Sequence, residues 1–336
     1  MSEATLIDML LDQTERLISD HVDRDGLRHV EDGHWPDGLW AESAALGLPD
    51  ALTVPAEEGG LTFADAGALF ALLGSRAVPL PLGETILARM ALAQAGIDAP
   101  DAPIGFLTAK TADVAFGRHL QHVVVAADGE IRLYALDGSA LPPVASVSRE
   151  GYAAIDVSAL TPVATAGWPA ALPDPAVLGA MLVASQIAGG LAQVLDMTVD
   201  YALVRTQFAR PIGRFQAVQQ IIAQLAAEAA AARAAADAAW AALDAGGDVA
   251  VMGAIAKIRA GEAVPIAAAI AHQVHGAIGI TDEHMLHYHT RRLWQWRRDH
   301  GSDAHWAEWL GRAVQENEGG LWAMLTQRCG VAPARA

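Results

Sequence analysis

The apolar positions of LIDMLLDQTERLI, Leu6 to Ile18, recur at i, i+3, i+4 and i+7, which predicts a helix with one buried face. GLWAESAALGL, ADAGALFALLGSRA and GETILARMALAQAG carry the same period. Between the first two lies the loop ALTVPAEEGGLTF, where Pro55 and Gly59-Gly60 interrupt regular structure. After residue 98 the pattern shortens. HVVVAAD, IRLYALD and YAAIDVS are partly β-branched runs, and Asp128-Gly129 between the first two is a two-residue hairpin signal. From residue 169 the helical period returns in AVLGAMLVASQIAGGLAQVLDMTVDYALVR, which tolerates Gly189-Gly190. AVQQIIAQLAAEAAAARAAADAAWAAL follows, with Val218, Ile221, Ile222 and Leu225 on one face, then the turn DAGGD. VAVMGAIAKIRAGEAVPIAAAIAHQVHG is expected to kink at Pro265, and EHMLHYHTRRLWQWRR is the last helix. The predicted fold is mostly α with a small antiparallel β domain. An N-terminal helical domain spans 1–98, the β domain 99–168 and a four-helix bundle 169–336.

Composition enlarges this picture. The 336 residues are 53% hydrophobic and 18% charged, enough for a large core, and the alanine-rich helices suit subunits that bury surface against one another. No run of eighteen apolar residues escapes charge or turn signals, so no membrane span is expected. The acidic, amphipathic start lacks the features of a signal peptide, and a cytoplasmic protein is the simple expectation. Cys329 is the sole cysteine, which excludes an internal disulfide and a thiolate metal cage. The net charge of −17 argues against nucleic-acid binding, and Lys110 and Lys257 are the only lysines. Arginine supplies the remaining positive charge and suits bidentate phosphate contacts.

RTQFARPIGRFQ, Arg205 to Gln216, is a polar, aromatic interruption between two helical patterns. With a turn at Pro211-Ile212-Gly213, Arg205 and Gln207 lie at a helix C-terminus beside Phe208. Such a corner can hold a phosphate by charge-assisted contacts and a flat ring by stacking. It can equally be a packed interhelical corner whose arginine meets an acid. His284, His287 and His289 have spacing compatible with metal binding, yet no cysteine or carboxylate pattern accompanies them, so no metal is expected. Arg291 and Arg292 with Trp294 and Trp296 could stack on adenine or a CoA nucleotide, though such a stripe more often buries its tryptophans and pairs its arginines with acids.

The string Y-x3-R-x-Q-F-x-x-P-I-x-x-F-Q-x-V-Q, Tyr201 to Gln219, resembles the signature of acyl-CoA dehydrogenases. QVHGAIGITDEH, Gln273 to His284, resembles that family's Q-x-x-G-G-x-G-x-T-x-E. GLWAESAALGLPDALTVPAEEGGLTFAD is similar to its opening domain. The resemblance covers nearly the whole chain in the family's order. It implies FAD bound between subunits of a homo- or hetero-oligomer, and α,β-desaturation of an acyl-CoA by α-proton abstraction and hydride transfer to flavin. Arg205, Thr206, Gln207, Phe208 and Gln216 would contact the FAD pyrophosphate and adenine half. Gln273, His275, Gly276 and Ala277 match the loop that reaches a neighbour's flavin, with Ala277 in place of the second glycine.

The family's base is a carboxylate, and here the chain departs from the pattern. Counting from Thr281 places His300 where many members carry a glutamate, and Gly179 falls at the alternative location. The β domain also lacks the family's T-E-P-x-x-G-S-D string. Three readings stay open. His300 acts as base with a pKa near neutrality; another acid, Glu283, Glu262 or Asp303, has moved in; or a sister chain supplies the glutamate in a heteromer of the kind that handles bulky steroid-derived CoA thioesters. A different class of function, a helical interaction subunit without flavin, also fits the pattern.

Overall fold

The computed structural model describes residues 5–328. Cys329 lies outside the described residues. The chain divides into two compact units at Gly179, the second also taking in Gly74–Ala77.

The first unit begins with helices α1 (Leu6–His21), α2 (Arg24–Glu31), α3 (Asp37–Ala45), α4 (Phe63–Ser75) and α5 (Leu82–Gln94). Thr5 starts α1 through a reciprocal capping box with Asp8, which satisfies two otherwise orphaned N–H groups. The strands follow: β1 (Ile104–Leu107), β2 (Thr111–Val114), β3 (His122–Ala127), β4 (Glu130–Ala135), β5 (Ala153–Asp156) and β6 (Ala164–Gly167). One sheet runs β1-β3-β4-β6 and a second pairs β2 with β5. Asp128 and Gly129, at φ 57° and 75°, make the anticipated β3–β4 turn, with Ala127 opposite Glu130. The sheets are antiparallel apart from β1–β3, which pair in parallel. The buried hydroxyl of Thr85 on α5 donates to the Ile104 carbonyl (3.2 Å) and accepts from its N–H (3.1 Å), fixing β1 to the helix. Leu107, Val123, Val125, Tyr134, Ile155 and Val157 form the core between the sheets.

Helix α6 (Pro175–Val204) leads into the second unit, followed by the short strands β7 (Thr206–Gln207) and β8 (Arg210–Pro211). The remaining helices are α7 (Gln216–Asp244), α8 (Val249–His275), α9 (Leu286–Trp296), α10 (Asp303–Glu316) and α11 (Gly320–Arg328). α8 continues through Pro265, and Asp248 caps its first turn. Trp240 on α7 donates its indole N–H to the Ser185 hydroxyl on α6 at 2.8 Å, satisfying two buried polar groups at once. By length and composition alone α6 and the stretch 249–280 are long and apolar enough to cross a bilayer, which does not establish a span. For α6, however, 89% of the apolar window is buried against the protein itself, as in a core helix.

Candidate functional site

The Arg205–Gln216 segment takes a form that its sequence does not announce. α6 ends at Val204, and the Arg205 N–H bonds back to the Tyr201 carbonyl at 2.9 Å. β7 and β8 then pair as a minimal hairpin, closed at its base by the Ile212 N–H on the Arg205 carbonyl (2.8 Å). Phe208 and Ala209 form the turn, with φ of 51° and 62°. A two-residue hairpin wants this left-handed pair, but Asn-Gly normally supplies it, because L side chains there cost about 1–2 kcal/mol per residue. Pro211–Gly213, expected to be the turn, instead leads through the 3-10 segment Ile212–Arg214 into α7. Phe208 is 88% exposed at the strained tip. The Arg210 guanidinium lies 4.1 Å over the Phe215 ring.

The hairpin brings Gln207, Phe208, Phe215 and Val218 beside Gln273 and Val274 of α8, around a groove of about 420 Å³. The two sequence motifs therefore converge. Arg205 is exposed and makes no ion pair among the described residues, unlike the packed-corner alternative. Thr206, Gln207, Gln216 and Gln273 are exposed too, and α7 starts at Gln216 without a side-chain cap. An unpaired guanidinium, amide groups, an open helix N-terminus and an apolar groove suit an anionic ligand carrying a flat ring. The donor set fits a dinucleotide.

The glycine loop divides its work. Gly276 adopts φ 63°, ψ −143°, a conformation open mainly to glycine. Ala277 is not among the residues with positive φ, so the family's second glycine is not required by backbone conformation here. Gly279 is a close-approach position, since a Cβ there would lie 3.0 Å from His275 Cβ and Leu286 Cδ2. His275 itself is turned inward, 3% exposed. Its ring stacks on Tyr201 at 4.6 Å and meets the edge of His284 at 4.6 Å. Burial lowers its pKa, against the Ala271 and Met197 carbonyls that favour the charged form.

At the position that counting sets against the family's base, the α9–α10 loop is pinned from several sides. Lys257 of α8, fully buried, donates to the carbonyls of Trp296 (3.3 Å) and Arg297 (2.8 Å). Arg297 grips Asp303 through two bonds of 3.0 and 2.8 Å. Gln295 donates to Asp299 at 2.9 Å, and the Trp306 indole donates to the His300 carbonyl at 2.9 Å. His300 is half-buried and carries a φ of 51°. Burial, with the nearby Lys257 ammonium, pushes its pKa down to about 4 instead of leaving it near neutrality. Burial works to raise Asp303, but the hydrogen bond and charge of Arg297 leave its carboxyl below the usual range. Glu262 is exposed and contacts Arg259 at 3.6 Å, and Glu283 is exposed.

Three features were not anticipated from sequence: the strained hairpin, the Tyr201–His275–His284 ring cluster and the Lys257 clamp. Only the clamp had a signal, one of two lysines placed within an apolar helical pattern.

A family profile described as "Acyl-CoA dehydrogenase, C-terminal domain" matches residues 165–300. Acyl-CoA dehydrogenase IpdE2 of Mycobacterium tuberculosis is 32% identical over 300 residues, covering 84% of this chain and 89% of that protein. IpdE2 of Mycolicibacterium smegmatis is 32% identical over 297 residues, covering 85% and 91%. Among solved structures, the ChsE4-ChsE5 complex from Mycobacterium tuberculosis matches with a TM-score of 0.81 at 19% identity, over 95% of this chain and 99% of that one. A variant of the Tcur3481-Tcur3483 steroid ACAD matches with a TM-score of 0.81 at 23% identity, over 92% and 98%. At these identities the structures speak to the fold.

Proposed function

The chain belongs to the acyl-CoA dehydrogenase family, and from that premise we propose that it is one subunit of a heteromeric, FAD-dependent enzyme that desaturates an acyl-CoA. A sister chain of the same fold supplies the catalytic carboxylate. One observation carries the reading: where counting sets the family's carboxylate this chain holds a histidine, His300, whose pKa burial and the Lys257 ammonium lower to about 4. An imidazole that weakly basic is poorly matched to abstracting a proton near pH 7. The adjacent carboxylates are engaged, Asp303 with Arg297 and Asp299 with Gln295. The dinucleotide corner, in contrast, keeps its donors exposed.

Arg205 would meet the pyrophosphate, with Thr206, Gln207 and Gln216 adding hydrogen bonds and Phe208 offering a face to the adenine half. Gln273, Gly276 and Ala277 would present amide groups to a neighbouring subunit's cofactor. Bound flavin supplies the acceptor for the β-hydrogen. This chain's part is to bind, orient and exclude water while the partner removes the α-proton. The two-chain assemblies named in the ChsE4-ChsE5 and Tcur3481-Tcur3483 structures support the heteromer, and the steroid label of the latter supports a bulky, steroid-derived acyl group.

The test is expression alone and with a similar chain that retains the glutamate, followed by visible absorbance and dye-coupled desaturation. The expected result is turnover and yellow colour only in the pair, with Arg205→Ala weakening flavin retention by about 1–3 kcal/mol. Turnover by this chain alone, abolished in His300→Ala, would overturn the proposal.

A further inference from the structure

The two flavin motifs are far apart in sequence, yet one imidazole ties them together. Tyr201 lies in the last turn of α6, and its carbonyl receives the N–H of Arg205. Its ring therefore belongs to the same rigid turn that aims the arginine. His275 is the last residue of α8, directly before the left-handed Gly276. The two rings stack at 4.6 Å with an interplanar angle of 21°. His284, after the loop, sets its edge against both, 4.6 Å from His275 and 6.2 Å from Tyr201. Gly279 closes the fourth side, admitting no Cβ without crowding His275.

The hydrogen bonds fix the ring as well as the packing does. A carbonyl only accepts, so His275 Nδ1 carries the proton and donates to the Ala271 carbonyl at 2.8 Å, at the C-terminal end of α8. His284 Nδ1 accepts from the Leu286 N–H at 3.1 Å, which leaves its own proton on Nε2. His275 Nε2 is buried, faces the Met197 carbonyl and closes no full hydrogen bond among the described residues. Phenylalanine would fill the same space without that unmet nitrogen. What histidine adds is the Nδ1 bond, which stops rotation of the ring on which Tyr201 rests.

We propose that His275 is a positioning residue for the dinucleotide: stacked on Tyr201 and locked to Ala271, it holds the Arg205 corner and the Gly276–Ala277 loop in one fixed register. This rests on the flavin reading above, and it moves His275 from a direct cofactor contact to a group acting through its neighbours. Ring and hydrogen bond contribute separately, so they can be removed separately. His275→Phe keeps the stack and loses the bond. His275→Asn keeps a donor near the Nδ1 position and loses the stack.

The test uses the protein in its flavin-loaded assembly and titrates FAD into stripped samples, following flavin fluorescence, with the thermal midpoint of the flavin-free protein measured alongside. Both His275 variants are expected to weaken FAD binding at least tenfold, by more than any fall in flavin-free stability explains. Tyr201→Leu should resemble His275→Asn, and it decides the matter if a His275 variant fails to fold. Wild-type affinity in both His275 variants, or in Tyr201→Leu, overturns the inference while leaving the flavin reading intact. Failure of the wild-type assembly to bind FAD at all overturns both.

Discussion

Lys257 holds its side chain where no part of the residue reaches solvent. Burial pushes its pKa to about 8, opposed by the negative charges of Asp299 and Asp303. The folded pKa is thus below the unfolded value of 10.5. Between those two values the unfolded chain binds more protons than the folded one, so stability rises with pH across that window and is flat on either side for this group. The slope is on the order of 1 kcal/mol per pH unit. Denaturant melts at pH 7.5, 8.5 and 9.5 should show the gain in wild type and lose it in Lys257→Met. An unchanged slope in the variant would assign the effect to other groups. The same lysine shows where sequence reading stops at this scale. Motif spacing singles out Arg205, Gln207 and Gln273 as candidates, and counting does the same for position 300. The low basicity of His300 was not legible, because it comes from burial and from an ammonium 43 positions away in the chain.

Elements were read well where period and turn chemistry agree. α1, α4 to α8 and the β3–β4 hairpin all carry their own signals, apolar stripes in the helices and Asp-Gly in the turn. α2 went unseen because RDGLRHVE is mostly polar and contains a glycine, while its stability comes from the Asp23 cap and the burial of Leu27 and Val30. α10 follows a Ser302 cap and buries Trp306, but its short pattern did not stand apart from the preceding arginines. β7 and β8 were invisible because Phe208-Ala209 is an unusual pair for a left-handed turn. That mismatch is measurable. Ala209→Gly removes the Cβ clash at φ 62° and should raise the stability of the flavin-free protein by about 0.5–1 kcal/mol, after the entropy that glycine adds to the unfolded chain. Ala209→Val should lower stability by about 1 kcal/mol or more. A glycine variant no more stable than wild type would mean the hairpin is not strained. Strain retained beside an unpaired arginine belongs with function more readily than with folding.

At the level of the whole molecule, acid should destabilise the fold well before its carboxylates titrate. Burial is the leading cause of lowered pKa at His272, His275, His284, His289 and His300 in the second unit, with His289 down to about 3 and His300 to about 4. His119 and His122 in the first unit are lowered as well. A folded pKa below the unfolded value of about 6.5 means that the unfolded chain takes up more protons between the two. Stability from these groups is whole above about pH 6.5 and is lost as pH falls toward their folded values. Relief of repulsion from the net charge of −17 works the other way. That effect acts among exposed, salt-screened charges, whereas a buried histidine contributes on the order of 1 kcal/mol for each pH unit between its folded and unfolded pKa. The histidine contribution should therefore win at moderate ionic strength. Denaturant midpoints are expected to fall steeply between pH 6.5 and 4.5. More of these histidines lie in the second unit than in the first, so amides of α8 and α9 should lose hydrogen-exchange protection at a higher pH than those of β3 and β4. Equal protection in both regions down to pH 4.5 would show that the imidazoles are not buried neutral and that the ring cluster beside the glycine loop is looser than its geometry states.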